Sequence, residues 1–376
     1  MHILPGKTIG IIGGGQLGKM LAEAANKMGY YVITLDPASD APAVSASHGH
    51  IVSGFSNEEG YETLISRCDV VTYEFENISA ELVKRLNAEY HNIPQGELPL
   101  YLAQNRKREK AALTEAGLPV APYVVLDLDL DHPEDTIQTA VTTLGYPFVV
   151  KTQEGGYDGK GQVVVRSEAD LIKVSTLYGI PCVAEKFIPY DWECSIIGTR
   201  SINGEYRHFP IAENLHVNNI LFKTTAGGEK VTPELESELN QMLQTFMETH
   251  NIVGTLAMEA FVVGDVIYVN ELAPRPHNSG HFTIEGCPTS QFEQHIRAIC
   301  GLPLGETTLL QKTVMFNILG QDKEFLFNYI PKMSADAHLH LYGKKEFKNN
   351  RKMGHVTFTG SKGLESFEKA MTDSFV

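Results

Sequence analysis

Residues 256–281 read LAMEAFVVGDVIYVNELAPRPHNSGH, and their pattern decides the fold of the surrounding chain. The first eight form a β-rich apolar run whose only ionisable residue is Glu259. Gly264 and Asp265 then turn the chain into VIYVNE, which ends at Glu271. Two strands of the buried type thus deliver one carboxylate each. A two-residue turn would pair Glu259 with Asn270 and send Glu271 to the opposite face. A three-residue turn, or a bulge, places both glutamates side by side on one face, and this is the arrangement expected here. Two carboxylates on an apolar sheet repel and lose hydration, unless a divalent cation sits between them. Oxygen ligands of this kind suit Mg2+, with Mn2+ as the alternative. The competing reading is a structural salt bridge from a glutamate to nearby Arg275. The segment that follows, NELAPRPHNSGH, carries a carboxylate, a guanidinium, two imidazoles and two prolines, a density of polar groups that argues for a site.

The chain opens with an apolar strand over residues 7–12, then GGGQLG, then Leu17, Met20, Leu21, Ala24 and Met28 at helical spacing. Residues 30–36 (YYVITLD) follow as a second strand. This βαβ opening predicts a parallel sheet with right-handed crossovers. CDVVTYEFEN, residues 68–77, reads as a later strand of that sheet, ending in a loop with Glu74 and Glu76, where open α/β sheets bind ligands. Gly13, Gly15 and Gly18 satisfy GxGxxG, and Asp36 ends the next strand, which is the dinucleotide fingerprint. Taken alone it argues for NAD. The same backbone geometry holds any phosphate, so the reading made here is a phosphate site; the bland alternative is a tight turn with close helix packing.

A polar helix, NRKREKAALTEA, is expected over residues 105–116, closed by Gly117 and Pro119, with the first domain boundary before it. FVVK is an apolar strand ending in Lys151, a lysine costly to bury unless an anion such as phosphate pairs with it. The loop GGYDGKGQ suits a lid whose backbone amides fold over phosphate oxygens. It is no Walker motif, because Lys160 is followed by Gly161 and Gln162 rather than Ser or Thr; the bland alternative is a flexible hairpin turn. Glu185 and Lys186 interrupt the strand-like AEKFI, and Glu193 follows in DWECSI. A purine edge and a ribose diol need such groups, although strand-edge charges would look the same. A helix is expected over residues 233–250, and the tail from about residue 316 reads as a small β-rich unit.

With 43% apolar and 20% charged residues in 376, the composition is that of a globular protein of two or three domains. A net charge of −15 argues against nucleic acid or an anionic membrane as partner, so an anionic substrate must be met by local donors. Cys68, Cys182, Cys194, Cys287 and Cys300 form no CxxC pair and read as reduced thiols. No leader or apolar run of about 20 residues is seen, so a cytoplasmic location is expected. His277 and His281 stand four apart, but Pro276 and Gly280 argue against a helix there, and a zinc reading is weak. His216, His338 and His340 read alone as ordinary histidines.

In that order, Lys151, the glycine-rich lid, AEKFI, Glu193, Glu259 and NELAPR resemble the ATP-grasp superfamily. GIIGGGQLGKM, YEFENI, GGYDGKGQ, NELAPRPHNSGH and RKMGHVT together resemble the N5-carboxyaminoimidazole ribonucleotide synthetases within it, over residues 10–357. The resemblance implies a mixed α/β and α+β architecture. A Rossmann-like parallel-sheet domain (residues 1–104) would precede an ATP-grasp fold, divided into an N-half with the lid (105–188) and a C-half with the glutamates (189–315). A β-rich extension (316–376) would close the chain. It further implies ATP contacts at Arg106, Lys151, the lid residues Gly156, Tyr157, Asp158, Gly159, Lys160, Gly161 and Gln162, then Glu185, Lys186, Phe187, Ile188, Glu193, His216, Asn270 and Glu271. Mg2+ would lie on Glu259 and Glu271. Aminoimidazole ribonucleotide would place its phosphate at Gln16 and Leu17 and meet Glu76, Tyr157, Asp158, Lys344 and Arg351. Bicarbonate would be the other small-molecule substrate, with Arg275 and Lys151 as the catalytic pair, and a homodimer is expected. One departure is QNRKREK, where Asn105 replaces an expected Asp beside Arg106.

The implied chemistry moves the ATP γ-phosphoryl group to bicarbonate, giving carboxyphosphate, whose carbonyl or released CO2 meets the exocyclic amine. Three rivals are weighed: a formate-using ATP-grasp ribonucleotide transformylase, an NAD-dependent oxidoreductase, and a nucleotide sensor without turnover. The oxidoreductase leaves the lid, both glutamates and NELAPR unexplained.

Overall fold

The computed structural model describes residues 2–128, 133–156 and 160–373. The N-terminal strands Thr8–Ile12, Tyr31–Asp36, Gly49–Val52 and Val70–Tyr73 form a parallel sheet, with Thr8–Ile12 and Tyr31–Asp36 in the centre. Their central residues are buried because both faces are covered. The helix Gln16–Lys27 packs Leu17, Met20 and Leu21 on one face together with Phe292, Ile296 and Ile299 of the later helix Gln291–Ile299. The helices Glu58–Ser66 and Ala80–Tyr90 cover the other. A helix from far along the chain thus helps to complete the first core.

A second, antiparallel sheet orders its strands Tyr123–Asp127, Pro181–Lys186, Phe148–Thr152 and Gln162–Val165, backed by the helix Pro133–Leu144. Val149 lies opposite Glu185, so Lys151, two residues along, shares Glu185's face.

The third sheet has nine strands, all antiparallel. From one edge it runs Val266–Ala273, Gly254–Val263, Trp192–Arg200, Ala212–Val217, Ile220–Ala226, Thr313–Leu319, Lys352–Phe358 and Ala337–Leu341, with Tyr206–His208 paired beside Trp192–Arg200. The β-rich tail therefore makes no sheet of its own. Its strands continue the sheet that carries the glutamates, and all seven residues of Thr313–Leu319 are buried. The helix Pro233–Thr249 covers one face, packing Leu239, Leu243 and Phe246 with Leu113 of the helix Arg106–Glu115.

The glutamate hairpin turns through two residues, with Val263 opposite Val266, and corrects its register by a bulge. Glu259 pairs with Glu271 while Ala260 pairs with Val269, leaving Asn270 as the extra residue. Both carboxylates come to one face through the bulge, not through a longer turn.

Candidate active site

The carboxyl ends of the parallel strands face the third sheet across a cleft of about 460 Å³. Gln16, Leu17, Glu76 and Arg275 line it, as do Asp36, Phe55, Glu74, Phe75, His277, Asn278 and Lys352. Gln16 and Leu17 open the helix Gln16–Lys27, so their amides have no intrahelical acceptor and suit an anion. The glycine amides before them are already engaged. Gly13 N donates to the Leu35 carbonyl at 2.9 Å, Gly14 N to Asp36 Oδ2 at 2.8 Å and Gly15 N to Glu74 Oε1 at 2.8 Å. Burial chiefly, and the Asp36 charge, push the Glu74 carboxyl up to about 7, against the pull of the Gly15 and Gly18 amides and of Arg275.

Basic groups gather beside the helix start. Lys19 Nζ donates to the Leu341 carbonyl at 3.1 Å, which ties this helix to the segment carrying Lys344 and Arg351. Lys344 Nζ donates to the Lys352 carbonyl at 2.7 Å. Burial, reinforced by Arg351 and Lys352, pushes Lys344 down to about 8, so an arriving phosphate would relieve a crowd of like charges.

Arg275 stands between this pocket and the glutamates. Its Nε donates to Glu76 Oε2 at 3.0 Å, so its guanidinium pairs across domains with Glu76; the glutamate bridged to Arg106, at 3.5 Å, is Glu271. The salt bridge considered for Arg275 within its own segment is not the one formed. His277 lies next to it, with Nε2 at 3.4 Å from Glu259 Oε1, and burial together with Arg275 and Lys352 holds its ring well below the usual histidine range.

The second sheet faces the glutamates with a buried charge network. Glu185 Oε2 accepts from Lys151 Nζ at 3.1 Å and pairs with Lys110 Nζ at 3.2 Å. Lys110 is 1% exposed and Glu185 5%. Burial would raise Glu185, but Lys151, Lys110 and Arg106 outweigh it and hold the carboxyl below its usual range; burial pulls Lys151 below its own. Asn105 accounts for the altered QNRKREK motif, since its side chain caps the helix Arg106–Glu115 by accepting from Lys107 N and Arg108 N. Arg106 N is anchored to the Gln153 carbonyl at 2.9 Å, under the root of the lid. Of the residues expected in that lid, Gly156, Lys160, Gly161 and Gln162 are described, whereas Tyr157, Asp158 and Gly159 lie outside the described residues. The Lys186 ammonium donates to the carbonyls of Leu144, Gly145 and Tyr146, and the amides of Lys186 and Phe187 donate to the Pro122 and Pro147 carbonyls. Glu193 pairs with His216 and accepts from Tyr190, next to Glu259 and Asn270 in a small pocket.

The donor set fits a divalent cation. Burial and the neighbouring Glu271 push Glu259 up to about 7, and Asn270 Oδ1 is buried with no hydrogen-bond partner. A cation would take both carboxylates and give that oxygen a partner. Among the described residues no three His, Cys, Asp or Glu side chains make a cage. A pair of carboxylates is a set that Mg2+ accepts, its shell completed by water and substrate phosphates.

Sequence reasoning marked His277 only as one of the imidazoles in the NELAPRPHNSGH stretch, and gave no role to Lys352 in the cleft or to Glu109 and Lys110 behind it.

Family models match three consecutive parts of the chain. They are a ribonucleotide synthetase preATP-grasp domain (residues 6–104), an ATP-grasp domain (111–292) and a phosphoribosylaminoimidazole carboxylase C-terminal domain (313–369). The fold is that of an ATP-grasp ligase, which removes the oxidoreductase reading. The chain is 44% identical over 359 residues to N5-carboxyaminoimidazole ribonucleotide synthase of Bacillus subtilis strain 168, covering 95% of this chain and 92% of that protein. The crystal structure of N5-carboxyaminoimidazole synthetase from Staphylococcus aureus complexed with ADP superposes with a TM-score of 0.93 at 42% identity, covering 100% of this chain and 98% of that one. The Aspergillus clavatus N5-carboxyaminoimidazole synthase in complex with ADP and 5-aminoimidazole ribonucleotide superposes with a TM-score of 0.86 at 29% identity, covering 98% and 97%. The chain belongs to the N5-carboxyaminoimidazole ribonucleotide synthase family of purine biosynthesis.

Proposed function

We propose that the protein carboxylates the exocyclic amine of aminoimidazole ribonucleotide with bicarbonate at the expense of ATP, releasing N5-carboxyaminoimidazole ribonucleotide, ADP and phosphate. The observation that carries this reading is the position of Arg275. It lines the pocket whose helix start and basic cluster suit one phosphate, and it stands beside the glutamate edge that suits a nucleotide and its cation.

Bicarbonate is a poor electrophile. Transfer of the γ-phosphoryl group to one of its oxygens gives carboxyphosphate and ADP. The amine then attacks the carbonyl carbon, or CO2 released from it; phosphate leaves and the nitrogen gives up a proton. Such chemistry asks the protein for positioning and charge stabilisation. Lys151 offsets charge on the transferring phosphoryl group. The Arg275 guanidinium, oriented by Glu76, suits bicarbonate and carboxyphosphate through charge-assisted hydrogen bonds. Glu259 and Glu271 would hold Mg2+, which supplies further neutralisation of phosphate charge. Gln16, Leu17, Lys344 and Arg351 take the ribonucleotide phosphate, and Glu76 the sugar or base. The lid, with Tyr157 and Asp158, closes over both substrates and keeps water from the labile carboxyphosphate. We place the enzyme in the cytoplasm as a homodimer; no helix among the described residues is long and apolar enough to cross a membrane.

The test is ADP release by purified protein with Mg2+-ATP and bicarbonate, with and without aminoimidazole ribonucleotide, beside a formate arm. Stimulation by the ribonucleotide with bicarbonate alone is expected. Stimulation that needs formate would transfer the protein to the transformylases, and no stimulation in any mixture would overturn the assignment.

A further inference from the structure

The glycine-rich loop matches the dinucleotide fingerprint in sequence yet spends its amides differently. In a dinucleotide site the glycines let a pyrophosphate approach free backbone NH groups at the helix start. Here Gly14 N is bonded to Asp36 Oδ2 and Gly15 N to Glu74 Oε1, both at 2.8 Å, and Glu74 also accepts from Gly18 N. Gly13 N is taken by the Leu35 carbonyl. The fit is close: a Cβ on Gly13 would lie 2.8 Å from the Glu74 carboxyl, one on Gly14 2.8 Å from Asp36 Cβ, and one on Gly18 2.4 Å from the Gly13 carbonyl oxygen. Gly13 and Gly14 are required by the chain's own carboxylates, and Gly18 by the backbone of Gly13.

We infer that Asp36 and Glu74 are specificity residues which occupy the glycine-loop amides and so restrict this half of the cleft to a terminal monophosphate, rejecting nucleotides that bear a pyrophosphate. What remains for a phosphate is the helix start at Gln16 and Leu17. A second phosphate on the loop would have to displace both carboxylates and would meet their oxygens at hydrogen-bond range. The same two bonds set the loop that aims the Gln16 and Leu17 amides, which makes Asp36 and Glu74 positioning residues as well. The benefit is separation of substrates, because a neighbouring groove that works on ATP sits in the same cleft system. This inference rests on the ribonucleotide reading above.

The test uses ADP-ribose as a pyrophosphate probe. In the wild-type enzyme it should neither compete with aminoimidazole ribonucleotide nor give a calorimetric signal displaced by that ribonucleotide. In Asp36→Ala and Glu74→Ala, the KM for the ribonucleotide should rise at least about tenfold while the KM for ATP stays within about twofold, the scale for a lost charge-assisted bond. In the double variant, which clears both carboxylates from the loop, ADP-ribose should bind competitively. Glu74→Gln, whose amide oxygen can still accept from Gly15, should restore the ribonucleotide KM. Asp36 lies nearer the surface, so its variant carries the test where Glu74→Ala fails to fold. Competitive ADP-ribose binding by the wild-type protein would overturn the inference, as would alanine variants with unchanged ribonucleotide KM. Absence of ribonucleotide-stimulated ADP release from the wild type would instead strike the functional reading, and the calorimetric arm keeps the two failures apart.

Discussion

Replacing Glu109 with glutamine should remove a pH-dependent weakness built in behind the active site. Glu109 is 2% exposed, and its Oε1 accepts from Leu272 N at 2.7 Å, next to the metal-type Glu271. Burial chiefly, then the Glu271 charge, push its carboxyl from 4.5 up to about 8, against Lys110, the Leu272 amide and Arg106. The folded state therefore keeps a proton that the unfolded chain releases. Between the unfolded value of 4.5 and the folded value of about 8 the native state binds more protons, so stability falls as pH rises through that window. At about 1.4 kcal/mol per unit, moving from about pH 5.5 to about pH 7 costs roughly 2 kcal/mol from this one group. Glutamine keeps an acceptor for Leu272 and cannot ionise. Urea unfolding of both proteins at both pH values measures the effect. Glu74 and Glu259 titrate in the same range, but they are common to the two proteins and drop out of the difference. The wild type should lose roughly 2 kcal/mol more than the variant over that interval. Parallel losses, within about 0.5 kcal/mol, would refute the reasoning that this carboxyl is protonated in the folded enzyme.

Arg275→Ala should lower product formation by roughly 10²-fold or more while leaving the KM for ATP near its wild-type value, as removal of a charge-stabilising donor does; near-normal turnover would refute the role. Glu271→Gln should abolish activity or raise the Mg2+ requirement by roughly tenfold or more, a titration of rate against metal deciding the matter. For Lys344, held down to about 8, phosphate binding needs the charged form, so affinity should fall as pH rises above about 8. The KM for the ribonucleotide should climb up to about tenfold per unit there, and Lys344→Met should flatten the profile.

Much of the fold was legible because its signals are local. The apolar runs of Thr8–Ile12 and Tyr31–Asp36 read as buried parallel strands, and the helical spacing after GGGQLG read as the helix Gln16–Lys27. The hairpin showed its two glutamates, but not how they meet. A two-residue turn and a compensating bulge at Asn270 give the same facing as a longer turn, and hydrophobic alternation cannot tell them apart. Family resemblance supplied the candidate contacts of Lys344 and Arg351, which no periodicity marks. The partner of His277 and the place of Lys352 stayed hidden because they depend on packing between distant segments. His277 is next to Glu259 only after the hairpin folds back, and Lys352 reaches the cleft only because its strand joins Thr313–Leu319. Lys186 shows the converse: its charge looks like a ligand contact in sequence and is used to cap the helix Pro133–Leu144. The glycine fingerprint misleads for a related reason, since the pattern records that side chains are excluded, not what excludes them.

The shared nine-stranded sheet gives the last sixty or so residues a standing that their position at the end of the chain conceals. Because Lys352–Phe358 is hydrogen-bonded along Thr313–Leu319, a protein ended before Lys344 would uncover a strand buried along its whole length, an open seam ready to pair with another chain. The tail is thus a sealing edge as well as the bearer of Lys344 and Arg351, so a cut that removes these two proposed phosphate contacts would also drive the remainder toward aggregation. Loss of the tail and loss of ribonucleotide binding cannot be separated by trimming. Only side-chain replacement on the intact sheet keeps the two apart.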